Sequence, residues 1–224
     1  VASTTTDVIQ ATSKALQMGI KNMDEAMEYA KNSNIYANVA DLDQETADKQ
    51  LTSILSAYGG IEKAVKPMRE EIQGATKDYN LMTQYMDLAN YAGNNFAVTS
   101  GDIGKAFANS ASIFKTTGTN MGEAISYIVG ANETVQNANK VGTSLKAIGT
   151  NLIGLKTSAK DGSISLNKTA MALKKVGIDC QKSNGEVKST SEVLNELGEI
   201  WDGLGTKKQM SVAEAIAGKN HINT

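Results

Sequence analysis

Proline, cysteine, histidine and tryptophan each occur once in this chain, as Pro67, Cys180, His221 and Trp201, and aromatic residues make up only 5%. A single cysteine excludes an internal disulfide framework and fits a reducing compartment. A single histidine far from that cysteine leaves no clustered ligand set of the kind zinc requires. With 22 basic and 24 acidic side chains the formal charge is -2, so nothing draws the chain to nucleic acid or anionic lipid. Apolar runs are only a few residues long, as at Tyr127-Ile128-Val129, whereas a bilayer span needs about 18. No membrane span is expected.

What is present reads as helix. Ala, Ser, Thr, Asn, Lys and Glu dominate, which suits helices but supplies thin anchors for a core. Yet there are 20 glycines, several inside helical patterns: Gly104, Gly122, Gly130, Gly142, Gly149 and Gly154. Each costs roughly 0.5–1 kcal/mol of helix stability relative to alanine, so they mark either close helix packing or limited rigidity. At 224 residues the chain can bury a real core. It begins at Val1 and stops at Thr224 just after a helical pattern, so it is expected to be a piece of a longer protein.

Apolar spacing places Val8, Ala11, Ala15 and Met18 on a first helix. Asn22 and Glu25 form an Asn-x-x-Glu box before a second, with Met23, Ala26, Met27 and Ala30 read as inward. Asp43 caps a third helix bearing Ala47, Leu51, Ile54 and Leu55, ended by Gly59-Gly60. From Ile61 to Gln73 a charged helix is expected to kink or break at Pro67. Tyr79, Met82, Tyr85, Met86 and Ala89 continue, stopped by Gly93-Asn94-Asn95. Thr99 or Ser100 caps a stripe of Ile103, Ala106, Phe107, Ser110 and Phe114, which ends at Gly118. Asn137 opens the helix bearing Val141, Leu145, Ile148 and Leu152. Lys160-Asp161-Gly162-Ser163 is the clearest turn. Met171, Leu173 and Val176 form a short helix ended by Gly177. The segment near 178–188, around Ser183-Asn184-Gly185, is the one place where a small β-hairpin is plausible. Ser189 with Glu192 and Thr206 with Gln209 head two last helices carrying Val193, Leu194, Leu197, Trp201 and Met210, Val212, Ile216. The fold class is therefore all-α, a succession of short amphipathic helices and helical hairpins.

An internal duplication is expected. Asn22-Met23-Asp24-Glu25-Ala26-Met27-Glu28-Tyr29 recurs as Asn120-Met121-Gly122-Glu123-Ala124-Ile125-Ser126-Tyr127, with a short insertion near Thr117-Gly118-Thr119. The reading divides the chain into repeat unit one at 1–95, repeat unit two at 96–160 and a C-terminal helical segment at 161–224.

Chemistry is sparse. Asp41, Asp43, Glu45 and Asp48 have the alternate spacing of a calcium loop, but Thr46 stands where glycine is needed and Thr52 where glutamate is needed. Acids at a helix N-terminus complement its dipole and explain them better. Gly218-Lys219 lacks the spacing of a phosphate loop. Cys180 beside Asp179 has no neighbouring cation to lower its pKa. Glu192, Glu196 and Glu199 form a stripe on one helix rather than two carboxyls converging on a substrate. Lys174, Lys175 and Lys182 are too few for a nucleic-acid stripe. His221 reads as solvated. Trp201 reads as core, or as the anchor of a helix contact between subunits. No catalytic residue, metal ligand or cofactor site is expected, and the chain is not read as an enzyme.

The run Asn94-Asn95-Phe96-Ala97-Val98-Thr99-Ser100-Gly101-Asp102-Ile103, then Gly118 to Ala124, Val129-Gly130-Ala131-Asn132-Glu133 and Lys140-Val141-Gly142-Thr143-Ser144-Leu145-Lys146, resembles the core region of phage tail tape measure proteins. A second block, Leu173 to Ile178, Ser189 to Leu197, Trp201 and Ile216-Ala217-Gly218-Lys219, is similar to the close of that region. The family-motif, packing and capping positions are Asn120, Glu123, Ala124, Gly130, Asn132, Gly142, Leu145, Gly177, Trp201 and Gly218. The chain departs from the family pattern in two places. Asn151 to Lys156 supplies one lysine where the family has an arginine-rich segment, and Asn137-Ala138 stands where Asn-Pro or Asp-Pro is frequent. The resemblance therefore carries no charge-based docking role there.

The resemblance implies a structural role: setting tail tube length during assembly and occupying the lumen until DNA ejection. The implied partners are further copies of the chain, the tail tube protein and tail assembly chaperones, in the virion tail and, during assembly, the host cytoplasm. A rise of about 1.5 Å per helical residue would let 224 residues span at most roughly 340 Å. Reaching it would require a compact helical domain to rearrange into a line. The alternatives are a helical scaffold or interaction domain of a non-tail protein, or the non-catalytic spacer of a phage cell-wall hydrolase.

Overall fold

In the computed structural model residues 5–66, 79–219 and 221 are described. They form α1 (Thr5–Gln17), α2 (Met23–Val39), α3 (Gln44–Tyr58), a 3-10 turn (Ile61–Lys63), α4 (Leu81–Asn95), α5 (Ser100–Thr116), α6 (Met121–Val135) and α7 (Ala138–Leu152). Strands β1 (Leu155–Thr157) and β2 (Ile164–Leu166) follow, then α8 (Lys168–Lys174), α9 (Thr190–Trp201) and α10 (Thr206–Ala217). The fold is all-α with one small two-stranded sheet. Pro67 and most of the charged segment to Gln73 lie outside the described residues. The chain divides into two compact units, Val1–Ser112 and Ile113–Thr224, with the boundary inside α5.

In the first unit α1 packs on α2, α2 on α3, and both α2 and α3 touch α4. The stripe predicted for α5 is buried throughout this unit: Ile103, Ala106, Phe107 and Ser110. Tyr36, Tyr85, Phe107 and Tyr58 meet edge to face or tilted, with centroids 5.4–6.0 Å apart. Two readings of facing change. Val8 is exposed, and Met23 and Met27 point out, because α2 buries Ala26, Tyr29, Ala30, Ser33, Tyr36 and Ala37 instead. Alanines let α1 approach closely, and the tyrosine rings supply the area the methionines were expected to give.

Four helices of this unit are joined by one polar relay. Tyr36 Oη donates to Gln50 Oε1 at 2.6 Å, and Gln50 Nε2 donates to the Gly101 carbonyl at 3.3 Å. Tyr36 has only one hydroxyl proton, so in the 3.0 Å pair with Tyr85 it is Tyr85 that donates. The relay thus runs α4 to α2 to α3 to α5. Its hydroxyls lie over Gly104, where an added Cβ would meet Tyr36 Oη at 2.0 Å, Gln50 Oε1 at 2.1 Å and Tyr85 Oη at 2.8 Å. Burial pushes the Tyr36 phenol up to about 12 and raises Tyr85 well above its ordinary value. A second polar cluster ties α1, α2 and α3: buried Asp48 accepts from Ser33 Oγ and Gln44 Nε2 and pairs with Lys14 at 3.2 Å.

In the second unit α6 packs on α7, and α10 packs on α7 and α8. Its core joins Leu152 of α7, Leu173 of α8, Ile178, Cys180, Val193 and Leu197 of α9, and Val212 and Ile216 of α10. Met171 and Met210, read as part of helix stripes, are exposed at 46% and 62%. A two-stranded sheet forms where none was expected. β1 and β2 pair antiparallel, Leu155 opposite Leu166, around the Lys160–Ser163 turn. Gly154 ends α7, and a Cβ there would sit 2.6 Å from Cys180 Cβ. At 178–188 the pairing is one isolated bridge, Gln181 to Val187. Two backbone bonds flank it, from Lys182 N–H to the Glu186 carbonyl at 2.7 Å and from Lys188 N–H to the Cys180 carbonyl at 2.9 Å, so a minimal hairpin forms there, with Ile178 and Cys180 drawn into the core and Lys182 and Lys188 held by Glu192 and Glu196 of α9.

Two glycines in helix interiors are expected to answer oppositely to alanine. Gly104→Ala forces apart the Tyr36–Gln50–Tyr85 relay and should destabilise by about 2 kcal/mol or more. At Gly130 an added Cβ would meet nothing within 4 Å, so Gly130→Ala gains helix propensity and should stabilise by about 0.5–1 kcal/mol. Urea denaturation followed by circular dichroism measures both. Tyr36 contributes a pH dependence of definite sign. Its folded pKa lies above its ordinary 10.0, so its stabilisation is complete below about pH 10 and lost as pH rises through about 12. Alkaline titration of Tyr36→Phe beside the unaltered chain should show a smaller loss of stability over that window. For Cys180, burial and the Asp179 charge push the thiol up to about 11. Labelling by a thiol reagent at pH 8 should be roughly 100-fold slower in the folded than in the unfolded chain, from thiolate fraction alone.

Candidate functional site

The positions singled out by sequence pattern lie in the second unit but do not converge on one place. They are structural points of separate elements. Asn120 caps α6: its Oδ1 accepts from the Glu123 N–H at 2.9 Å, and Glu123 Oε2 accepts from the Asn120 N–H at 3.0 Å. Two of the orphan donors at the helix start are satisfied reciprocally. Ala124 and Leu145 are buried, as is Gly142 within α7. Asn132 is buried, and its carbonyl accepts from both the backbone and the side chain of Gln136, which closes α6 in the left-handed region. Gly130 is exposed on the same helix. Gly177 (φ +89°) and Gly218 (φ +73°) follow α8 and α10 in conformations that L side chains rarely adopt. Trp201 ends α9 half-buried against the core, and its carbonyl accepts from Gln209 Nε2 at 2.9 Å.

The other caps show how local chemistry sets these elements. Asn22, Asp43, Asn137 and Ser189 cap as expected, and Ser189 with Glu192 completes a reciprocal box. The backbone N–H of Ser189 and then the Lys182 ammonium hold the Glu192 carboxyl below its usual range. Asn22 accepts from Asp24 and Glu25 N–H, but Glu25 does not reach back. Thr206 is not a cap. The helix begins one residue earlier with Gly205 as its cap, which frees Gln209 to bind the Trp201 carbonyl and tie α10 to the end of α9.

The groups weighed for chemistry are occupied structurally. Asp43 caps α3, Glu45 pairs with Lys49 at 2.6 Å, and Asp48 turns inward to Lys14, so the acids do not share a centre. Glu196 takes both oxygens to Lys188, at 2.6 and 2.7 Å. His221 is half-buried rather than solvated, with Nδ1 2.8 Å from Ser144 Oγ. Lys219 lies 3.8 Å from Glu214 at the end of α10. Among the described residues no three His, Cys, Asp or Glu are grouped to hold a metal. No helix among them is long and apolar enough to cross a membrane.

Each unit carries an open cleft among the described residues. One of about 520 Å³ in the second unit is lined by Thr117, Gly118, Ile153, Lys182, Ser189 and Glu192, its one facing ion pair already closed between Lys182 and Glu192 at 3.0 Å. The other, about 460 Å³ in the first unit, lies beside α2 and α4 and is lined by Met27, Glu28, Lys31, Asn32 and Thr83. Pattern reading missed this cleft and the relay over Gly104. The signals were Gln50 on the buried side of α3 and the outward Met23 and Met27 of a helix whose other face is also apolar.

No solved structure matches the chain. The family model described as phage-related minor tail protein matches residues 1–218. The chain therefore belongs to the phage-related minor tail protein family, a structural component of the phage tail.

Proposed function

We propose that this tail protein is the tape measure: it fixes the length of the tail tube during assembly and fills the lumen until DNA is ejected. The observation that carries the reading is family membership over residues 1–218 combined with the build of the chain. Its helices are short, mostly capped by a side chain and joined in series by turns, so a line of helices can be drawn from it without changing those caps. Length then scales with residue count at about 1.5 Å per helical residue. The partners on this reading are further copies of the chain, the tube protein lining the lumen and tail assembly chaperones holding the chain before packaging. Assembly takes place in the host cytoplasm. The sequence pattern further supports a duplicated helical unit, with the Asn22 and Asn120 caps at equivalent points of its two copies.

In-frame duplication of residues 1–218 within the parent gene of a phage encoding this chain tests the reading. Tails measured by electron microscopy should lengthen by up to about 330 Å. Assembled tails of unchanged length would refute a length-setting role while leaving the tail assignment intact.

A further inference from the structure

Asn184-Gly185 is the one point in the sequence where glycine follows asparagine. Glycine lets the next backbone nitrogen approach the asparagine side chain, since no Cβ stands in the way. Here Gly185 has φ +86°, and an added Cβ would meet nothing within 4 Å. Both residues are exposed in the turn before α9. The chemistry open to the pair is a cyclisation. Hydroxide takes the Gly185 amide proton, and the nitrogen forms a bond to Asn184 Cγ. The Cγ–Nδ2 bond breaks, and Nδ2 takes a proton from water and leaves as ammonia. Water then opens the cyclic imide at either carbonyl, leaving aspartate or isoaspartate at 184.

In the closed turn each group that this reaction needs is held elsewhere. Gly185 N–H donates to the Lys182 carbonyl at 2.9 Å. Asn184 Oδ1 accepts from Glu186 N–H at 3.0 Å, and Nδ2 donates to Glu186 Oε2 at 2.9 Å. The nucleophile is thus committed to Lys182, and both ends of the carboxamide are fixed on Glu186. The base of the turn is closed by the Lys182 N–H bond to the Glu186 carbonyl and by the Gln181–Val187 bridge. The Lys182–Glu192 and Lys188–Glu196 pairs hold it against α9. Directional bonds of this kind must open before the nitrogen can reach Cγ.

We propose that Asn184 is a hydrolytic modification site gated by its own turn, with water as the co-reactant. It is unreactive while 182–188 is closed and converts once that segment opens. Conversion is also one-way. Aspartate at 184 puts a carboxylate where Nδ2 donated to the Glu186 carboxylate, so an attraction becomes a repulsion. Isoaspartate adds a methylene to the main chain and offsets the register of Gln181 with Val187. A segment converted while open therefore closes poorly over Ile178 and Cys180, which are buried in the core. This inference stands on the turn and not on the length-setting role.

Incubation in mildly alkaline buffer, followed by mass spectrometry of the peptide holding residue 184, tests the gate. Conversion should run roughly tenfold slower, or more, in the folded chain than in guanidinium chloride. Glu186→Ala removes the bond to Nδ2. The folded variant, with an unchanged circular dichroism spectrum, should convert roughly threefold faster than the folded parent, or more, and at an equal rate in denaturant. Refolded after conversion, the chain should label at Cys180 roughly threefold faster than the unconverted chain, or more. Equal rates with and without denaturant, or no acceleration in folded Glu186→Ala, would overturn the gate. Unchanged labelling of Cys180 after conversion would overturn its one-way character.

Discussion

The first unit depends on the close approach of buried hydroxyls and an amide to Gly104. Tyr85, Tyr36, Gln50 and the Gly101 carbonyl lie on four different helices, and each link needs the others in place. An interior rich in alanine packs closely but with little to distinguish one sliding register from another. Hydrogen bonds are directional, and in a low-dielectric interior an unmade one costs more than a made one gains. The relay therefore selects one arrangement of α2, α3, α4 and α5 from many of similar apolar area. Only glycine at position 104 leaves the oxygens room, and the helix propensity forgone there is a small opposing quantity. The Ser33–Asp48–Gln44–Lys14 cluster applies the same principle to α1, with a buried carboxylate kept acceptable by three donors.

The second unit is specified differently. Its core is aliphatic, built from Leu, Ile and Val of α7, α8, α9 and α10, and the polar contacts lie on its rim. Lys182 on Glu192 and Lys188 on Glu196 pin the loop before α9 onto that helix, while Ile178 and Cys180 insert beneath. The more exposed of the two, Lys182 with Glu192, contributes little energy. Their effect is to hold the segment over the residues that do the burying, so a short turn with a single antiparallel bridge closes the core.

Helix starts were legible from sequence because a cap is a local event: Asn120 and Glu123, or Ser189 and Glu192, satisfy one another across three residues whatever surrounds them. The stripe Ile103, Ala106, Phe107, Ser110 was legible because its period leaves one apolar face. α2 offers two, and hydrophobicity ranks Met23 and Met27 above Ala26 and Ala30. Close packing inverted the ranking, since alanine admits a neighbouring helix and methionine does not. The extent of strand was misjudged for a related reason. Between Ile178 and Lys188 the core claims Ile178 and Cys180 and leaves one bridge, whereas the pairing of Leu155 with Leu166 has no signal until Gly154 turns the chain. Which glycines mark contact and which mark open space was beyond pattern alone: Gly104 and Gly130 read identically in sequence and differ only in what lies opposite.

These observations constrain how such a chain could serve in an extended form. Apart from α8, its helices run 12 to 17 residues, a length at which isolated helices are marginal in water. Caps travel with each helix and survive the loss of tertiary structure, but the relay over Gly104 and the aliphatic core of the second unit do not. Drawing the chain into a line removes the burial that holds its helices, so the line must find another apolar surface along its length. A helix such as α2, with one face for the compact state and another left open, already carries the chemistry for that exchange. The physical requirement for extension is therefore not a weak fold but a second set of apolar faces, and on α2 the sequence supplies one.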